Sequence, residues 1–288
     1  MKRRIEMLTI DGLTIEYSVV GTGEPILVMH GGHSNCREEF GYEVLVENSY
    51  MMITPSRPGY GGTSKEIGES LSLACEYYSK LLEHLHIDKV HLVAISAGGP
   101  SGIHFAATHP HQVQSLILQS AVTKEWLTPK DIEYKAAKVI FRPNVEKYTW
   151  KMISMMNNAF PSFIFQQMFP SFSKLKYKDA TAKFHQNDVE AIRKMNNRQR
   201  SGEGFMIDLE QVNKVSEQEL QAIKCPTLIM HSHHDGSVSL DHPYFAHEHI
   251  SSSELSLLDT WGHLIWIGAA AGETNNRLLS FLKAQRLK

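Results

Sequence analysis

Val90-His91-Leu92-Val93-Ala94-Ile95-Ser96-Ala97-Gly98 decides the reading of this chain. The first six residues form a short apolar run of the kind that makes a buried parallel strand, and the serine leads directly into a stretch with helical character. A strand that breaks sharply at a serine and re-enters as a helix lifts that hydroxyl above the sheet edge. Ala97 then opens the helix, so its backbone N–H and the positive helix end point at the same place. One turn supplies a nucleophile and half of an oxyanion site. A bulky side chain would clash in so tight a turn; Ala94 and Gly98 stand two residues either side of Ser96. Glycine at both positions is the usual pattern, so Ala94 is a mild departure.

A serine among small residues is a common turn, and its company carries the argument. Cys225-Pro226-Thr227-Leu228-Ile229-Met230-His231 reads as another buried strand, with Asp235 in the polar loop beyond it. Glu254-Leu255-Ser256-Leu257-Leu258-Asp259 leads into Trp261-Gly262-His263, which places His263 after the last strand. In a parallel sheet the loops after strand C-termini gather on one edge, so Ser96, Asp235 and His263 are expected to converge. The histidine would take the serine proton, and the carboxylate would fix its tautomer and stabilise the imidazolium. Asp241 and Asp259 are the alternative acids; Asp241 reads as a helix cap and Asp259 lies in or at the end of its strand, which leaves Asp235.

Strands are expected near Ile5–Ile10, Leu13–Val20, Ile26–Met29, Tyr50–Thr54, Val90–Ile95, Val113–Ser120, Thr227–His231 and Glu254–Asp259. The first two, joined around Asp11-Gly12, read as an antiparallel hairpin. Helices are expected over Arg37–Glu47, Leu71–His86, Gly98–His109, Leu240–His249 and Leu264–Lys283. Alternation of this kind makes an α/β fold, a mostly parallel eight-stranded sheet with helices on both faces. It stops between Val122 and Glu219, which reads as a helical lid inserted after strand 6. The core domain is then 1–121 and 220–288, and the lid is 122–219.

The chain resembles the α/β-hydrolase family over nearly its whole length outside the middle. The matching residues are His30-Gly31-Gly32 after the strand Ile26–Met29, Arg57-Pro58-Gly59-Tyr60-Gly61-Gly62-Thr63-Ser64 after the next strand, and Ser96, Asp235 and His263 in family order. The resemblance implies that Gly32 gives the second oxyanion N–H beside that of Ala97. It also implies a structural His30. The family's glycine-rich stretch usually opens with aspartate where this chain has Ser56-Arg57, a difference expected to touch loop structure more than chemistry. A serine rather than an aspartate at the nucleophile position sets the chain apart from the dehalogenase branch.

Length and charge set outer bounds. A chain of 288 residues suits one α/β domain with an insertion. Its formal net charge of −2 makes no electrostatic case for nucleic acid. Cys36, Cys75 and Cys225 are scattered and odd in number, which suggests reduced thiols. Met1-Lys2-Arg3-Arg4 is basic, but Glu6 and Asp11 follow without a continuous apolar core, so secretion is not expected. No window reaches the roughly 18 to 20 apolar residues of a membrane span. A cytoplasmic protein without a membrane or nucleic-acid partner is expected.

Within the lid, Met152, Met155, Met156, Phe160 and Phe163, then Phe165, Met168, Phe169 and Phe172, follow helical spacing. Most are expected to fix the lid to the core, and some to line a pocket for a small substrate with an apolar portion. From Val122 to Arg200 there are 15 Lys or Arg against 7 Asp or Glu, a net of +8. Solvated helix faces explain that excess; bases facing the cleft would instead draw in an anionic substrate.

His231-Ser232-His233-His234-Asp235 contains the His-x-His-x-Asp spacing of zinc hydrolases, but Gly236 follows where another histidine belongs. Zinc is therefore not expected. His33 could reach the cleft mouth, though a loop histidine more often caps backbone groups. The expected chemistry is two-step acyl transfer from Ser96 without metal or organic cofactor, with carboxylic-ester hydrolysis first. Cleavage of a carbon–carbon bond in a ring-fission product is the nearest alternative, and a ligand receptor with slow turnover is the other class.

Overall fold

Asp11 and Gly12 both take positive φ, 52° and 82°, the pairing that a two-residue turn needs to match the twist of its strands. They join β1 (Arg3–Ile10) to β2 (Leu13–Gly21) as an antiparallel hairpin. The computed structural model describes residues 2–211 and 214–286. Met1 of the basic start, two residues of the expected insertion and the last two residues of the chain lie outside them.

Six further strands follow: β3 (Glu24–Met29), β4 (Tyr50–Pro55), β5 (Val90–Ile95), β6 (Val113–Gln119), β7 (Thr227–Ser232) and β8 (Ser253–Leu258). They form one sheet in the order β1-β2-β4-β3-β5-β6-β7-β8. β2 meets β4 antiparallel, and every pairing from β4 through β8 is parallel. All eight strands lie within two residues of where the sequence places them. Central strands are covered on both sides, which is why they read as unbroken apolar runs. Leu27, Met29, Leu92 and Ala94 enter one core. Ile26, Val28, Val93 and Ile95 enter the other, as the two-residue period requires. Truncating a buried leucine such as Leu92 should cost about 2–5 kcal/mol.

The helices are α1 (Tyr42–Glu47), α2 (Leu71–His84), α3 (Gly99–Thr108), α4 (Ile132–Ile140), α5 (Glu146–Ala159), α6 (Pro161–Phe172), α7 (Tyr177–Ala180), α8 (Asp188–Arg198), α9 (Gly204–Gln211), α10 (Glu217–Ala222), α11 (Asp241–His249) and α12 (Ala271–Ala284). Helices α2, α3, α10 and α11 contribute to the core on one face of the sheet, and α1, α6, α8 and α12 to that on the other. Two helices begin five or more residues later than the sequence suggests. Gly41 sits at φ 76°, which breaks the helix expected from Arg37, so α1 starts at Tyr42. Residues 264–270 are irregular because tertiary bonds claim their backbone: Gly268 N–H donates to Asp188 and Ala269 N–H to Lys183 O.

Between β6 and β7 the described chain is helical, from α4 to α10. Phe165 and Phe169 of α6 are buried with Tyr177, Phe184 and Trp261 in an aromatic cluster. Met152, Met155, Met156, Phe160 and Phe163 point the other way, each more than 40% exposed. Among the described residues no helix is long and apolar enough to cross a membrane.

Candidate active site

Strand order brings the loops together. β3 and β5 are neighbours, so the His30-Gly31-Gly32 loop lies beside the turn at Ser96; β7 and β8 are neighbours, so the loops of Asp235 and His263 adjoin. The sheet reverses its winding between β3 and β5, the place where open α/β sheets hold ligands.

Ser96 has φ 49°, a left-handed conformation that costs a non-glycine residue about 1–2 kcal/mol. Its neighbours permit the bend. A Cβ on Gly98 would stand 2.3 Å from Met29 O. The departure at Ala94 is absorbed one turn into α3, where a Cβ on Gly102 would lie 2.4 Å from the Ala94 methyl. The small residue that the turn needs has moved to the helix.

His263 Nε2 is 2.9 Å from Ser96 Oγ, and its Nδ1 is 2.7 Å from Asp235 Oδ2. An ionised Asp235 accepts only, so Nδ1 carries the proton and Nε2 faces the serine as an acceptor. Asp235 Oδ1 accepts from the backbone N–H groups of Ser237 and Val238, each at 2.8 Å. Burial opposes ionisation of Asp235, but the charge and hydrogen bond of His263, with His231 and the Val238 amide, hold its carboxyl below the ordinary range. Asp259 is instead exposed and paired with Lys183 and His234. Asp241 is exposed at the start of α11.

Contacts that no local pattern announced hold this set in place. His231 Nε2 lies 3.0 Å from Val238 O and 3.2 Å from Asp235 Oδ2, so half of the zinc-like spacing braces the acid loop. His233 is exposed and does not join it. The Phe172 carbonyl at the end of α6 accepts from Gly236 N–H at 3.0 Å and from His263 N–H at 2.8 Å, clipping the acid and histidine loops together. Ser120 Oγ donates to His263 O at 2.8 Å.

Among the described residues the N–H groups of Gly32 and Ala97 have no partner outside their own turns. The Gly32 loop is braced from below. His30 Nε2 accepts from Arg57 N–H at 2.9 Å, and Arg57 Nε donates to His30 O at 2.8 Å. The Arg57 guanidinium forks onto Asp208 of α9, to which Tyr60 OH also donates at 2.6 Å. Arg57 and Asp208 are 2% and 3% exposed, a buried pair that ties the loop to α9. Ser56-Arg57 thus acts on loop structure, as the sequence suggests, through a partner 151 residues away.

Ser96, His263, Gly32 and Ala97 open onto a cavity of about 320 Å³. Its wall is largely apolar and aromatic, with Phe141, Trp150, Met168, Phe172, Phe205 and Trp266 prominent. Met168 and Phe172 are thus the members of the Met/Phe set that reach the pocket. Among the described lining residues there is no Lys or Arg. Glu38 is there, but Ser34 Oγ and the N–H groups of Glu39 and Phe40 occupy its carboxylate. His33 also lines the cavity; its Nδ1 pairs with Ser201 Oγ at 2.7 Å rather than with a backbone group, contrary to the capping role expected.

The fold and this edge of the sheet define a class, and comparison agrees: the chain belongs to the alpha/beta hydrolase fold family, whose model matches residues 24–270. It is 61% identical over 284 residues to the uncharacterized hydrolase YcgS of Bacillus subtilis (strain 168), covering 99% of this chain and 100% of that one. It is 24% identical to the 2-hydroxy-6-oxo-2,4-heptadienoate hydrolase of Pseudomonas putida, over 91% of this chain and 90% of the relative. An alpha/beta hydrolase fold protein from Nakamurella multipartita shares the fold with a TM-score of 0.84, at 24% identity, covering 98% of this chain and 100% of that one.

Proposed function

We propose that this protein is a serine hydrolase that cleaves small, uncharged carboxylic esters through an acyl-enzyme on Ser96. The observation that carries the reading is the series of short contacts, 2.9 Å from Ser96 to His263 and 2.7 Å from His263 to Asp235. His263 takes the serine proton as Oγ attacks the carbonyl, and Asp235 stabilises the imidazolium. The N–H groups of Gly32 and Ala97 receive the oxyanion, each worth on the order of 3 kcal/mol in the transition state. The proton on His263 then goes to the leaving alcohol, and water repeats the sequence to release the acid. The insertion serves as a lid, its α5 and α6 supplying Trp150 and Phe172 to the wall.

The wall argues for an uncharged substrate, because the lid's surplus bases do not reach it and a buried carboxylate would find no cation there. Carbon–carbon cleavage is the second reading, favoured by the name of the Pseudomonas relative, a hydrolase of an oxo-dienoate. The same wall weighs against it, since a dienoate bears a carboxylate. Hydrolysis of p-nitrophenyl esters by wild type and Ser96→Ala tests the proposal: a loss of about 10⁴ to 10⁶ in kcat is expected. Activity within tenfold of wild type would overturn it. Absence of any Ser96-dependent ester turnover, with cleavage of a vinylogous diketone, would favour the second reading.

A further inference from the structure

His33 is held more firmly than a loop histidine needs to be. Its imidazole lies against Phe205 and Phe141, with ring centroids 4.0 and 4.3 Å away, and Trp150 stands at 5.2 Å. Ser201, fully buried, fixes one edge: His33 Nδ1 and Trp150 Nε1 both lie 2.7 Å from Ser201 Oγ. The indole can only donate. If Nδ1 donated as well, the Ser201 hydroxyl proton would be buried without an acceptor. The arrangement that satisfies every group has the hydroxyl donating to Nδ1, which puts the imidazole proton on Nε2. Burial, then the charge of Arg57, lowers the pKa of His33 to about 3, so the ring stays neutral.

Nε2 has no protein partner among the described residues, and it is not among the sealed, unpartnered buried polar atoms. His33 lines the cavity, and with Nδ1 engaged by Ser201 the unsealed Nε2 edge is the polar part of the ring left to face it. The indole donors of the wall are spent elsewhere: Trp126 donates to Ser237 O, Trp150 to Ser201 Oγ and Trp266 to Gln119 Oε1. His33 also follows Gly32 directly, and the Phe205 ring it packs on lies 3.5 Å from where a Cβ on Gly32 would stand, so the imidazole sits beside the oxyanion loop.

We infer that His33 is a substrate-binding residue whose Nε2–H receives a second acceptor oxygen, keto or ether, near the scissile carbonyl. The site is thereby selective for oxygenated acyl groups over plain alkyl ones. This rests on the acyl-transfer reading and narrows its substrate class. An acceptor there pairs a donor that a hydrocarbon would strand in an apolar cavity, and the fixed ring has little orientation left to lose.

The test compares p-nitrophenyl methoxyacetate with p-nitrophenyl butyrate, which differ by an ether oxygen in place of a methylene. The readout is the ratio of their kcat/KM values divided by the ratio of their alkaline hydrolysis rates, which removes intrinsic reactivity. For wild type this corrected ratio is expected to be about 10, and for His33→Phe about 1. A general loss of activity in the variant leaves the ratio readable. A wild-type value near 1, or a value unchanged in His33→Phe, would overturn the assignment. A long-range proton–nitrogen spectrum of wild type judges it without turnover: His33 protonated at Nε2 is expected, and protonation at Nδ1 contradicts it. If turnover instead survives Ser96→Ala, the acyl-enzyme reading falls, while the spectrum still decides the state of His33.

Discussion

Asp235→Asn is isosteric, and the structure dictates how the new amide must turn. Oδ1 accepts two backbone N–H groups, from Ser237 and Val238, and only the amide oxygen can take that place. The NH2 group is then forced toward His263 Nδ1 and His231 Nε2. Facing a donor, His263 moves its proton to Nε2, where it confronts Ser96 Oγ and can no longer accept. Restoring the productive tautomer would set two buried donors against each other. In other triads the wrong tautomer costs about 10⁴ in kcat, which is about 5.5 kcal/mol in the barrier. The assay is kcat/KM for p-nitrophenyl butyrate at neutral pH, with a thermal melt to establish that the variant folds. A folded Asp235→Asn within tenfold of wild type would refute the relay as described.

Asp208→Asn should leave the Arg57 charge buried without its counterion, at a cost of about 3–5 kcal/mol. A fall in Tm of about 5–8 °C is expected in calorimetry, and Arg57→Met with Asp208→Leu should recover most of it. Ser96→Gly should be more stable than Ser96→Ala by about 1 kcal/mol in urea titration, because only glycine relieves the positive φ. His30 and His242 are held neutral: burial, with the charges of Arg57 and Lys124 respectively, lowers His30 well below 6.5 and His242 to about 4. The unfolded chain binds those protons first, so stability is full above about 6.5 and falls as pH drops toward 4, by about 1.4 kcal/mol per pH unit for each group. Tm measured between pH 7 and pH 4 should fall accordingly, and His242→Phe, if it folds, should flatten the slope.

Much of this was legible because buried parallel strands announce themselves. β5 and β7 are short, fully buried runs and β8 a short strand ending in Leu257-Leu258, and a residue just past such a strand has few places to be, so Ser96, Asp235 and His263 could be put at one edge from sequence alone. The start of α12 was not legible, since Leu264–Ala269 is apolar enough for a helix but its end is claimed by bonds to Asp188 and Lys183. Nor was the pairing of Arg57 with Asp208, because an ion pair 151 residues apart leaves no local trace. His231 was read for its spacing to His233, whereas its burial beside Asp235 decides its role. The Met/Phe stretch had the right period but not its phase: sequence could not tell that Phe165 would pack inside, Phe172 face the cavity and Met155 face solvent.

Covalent capture tests the role of Ser96 most directly. Wild-type protein quenched during turnover of p-nitrophenyl acetate, digested and weighed by mass spectrometry, should carry one acetyl group on the peptide containing Ser96. The adduct should vanish in Ser96→Ala and form far more slowly in His263→Ala. An acetyl group on another residue, or equal labelling of Ser96→Ala, would contradict it.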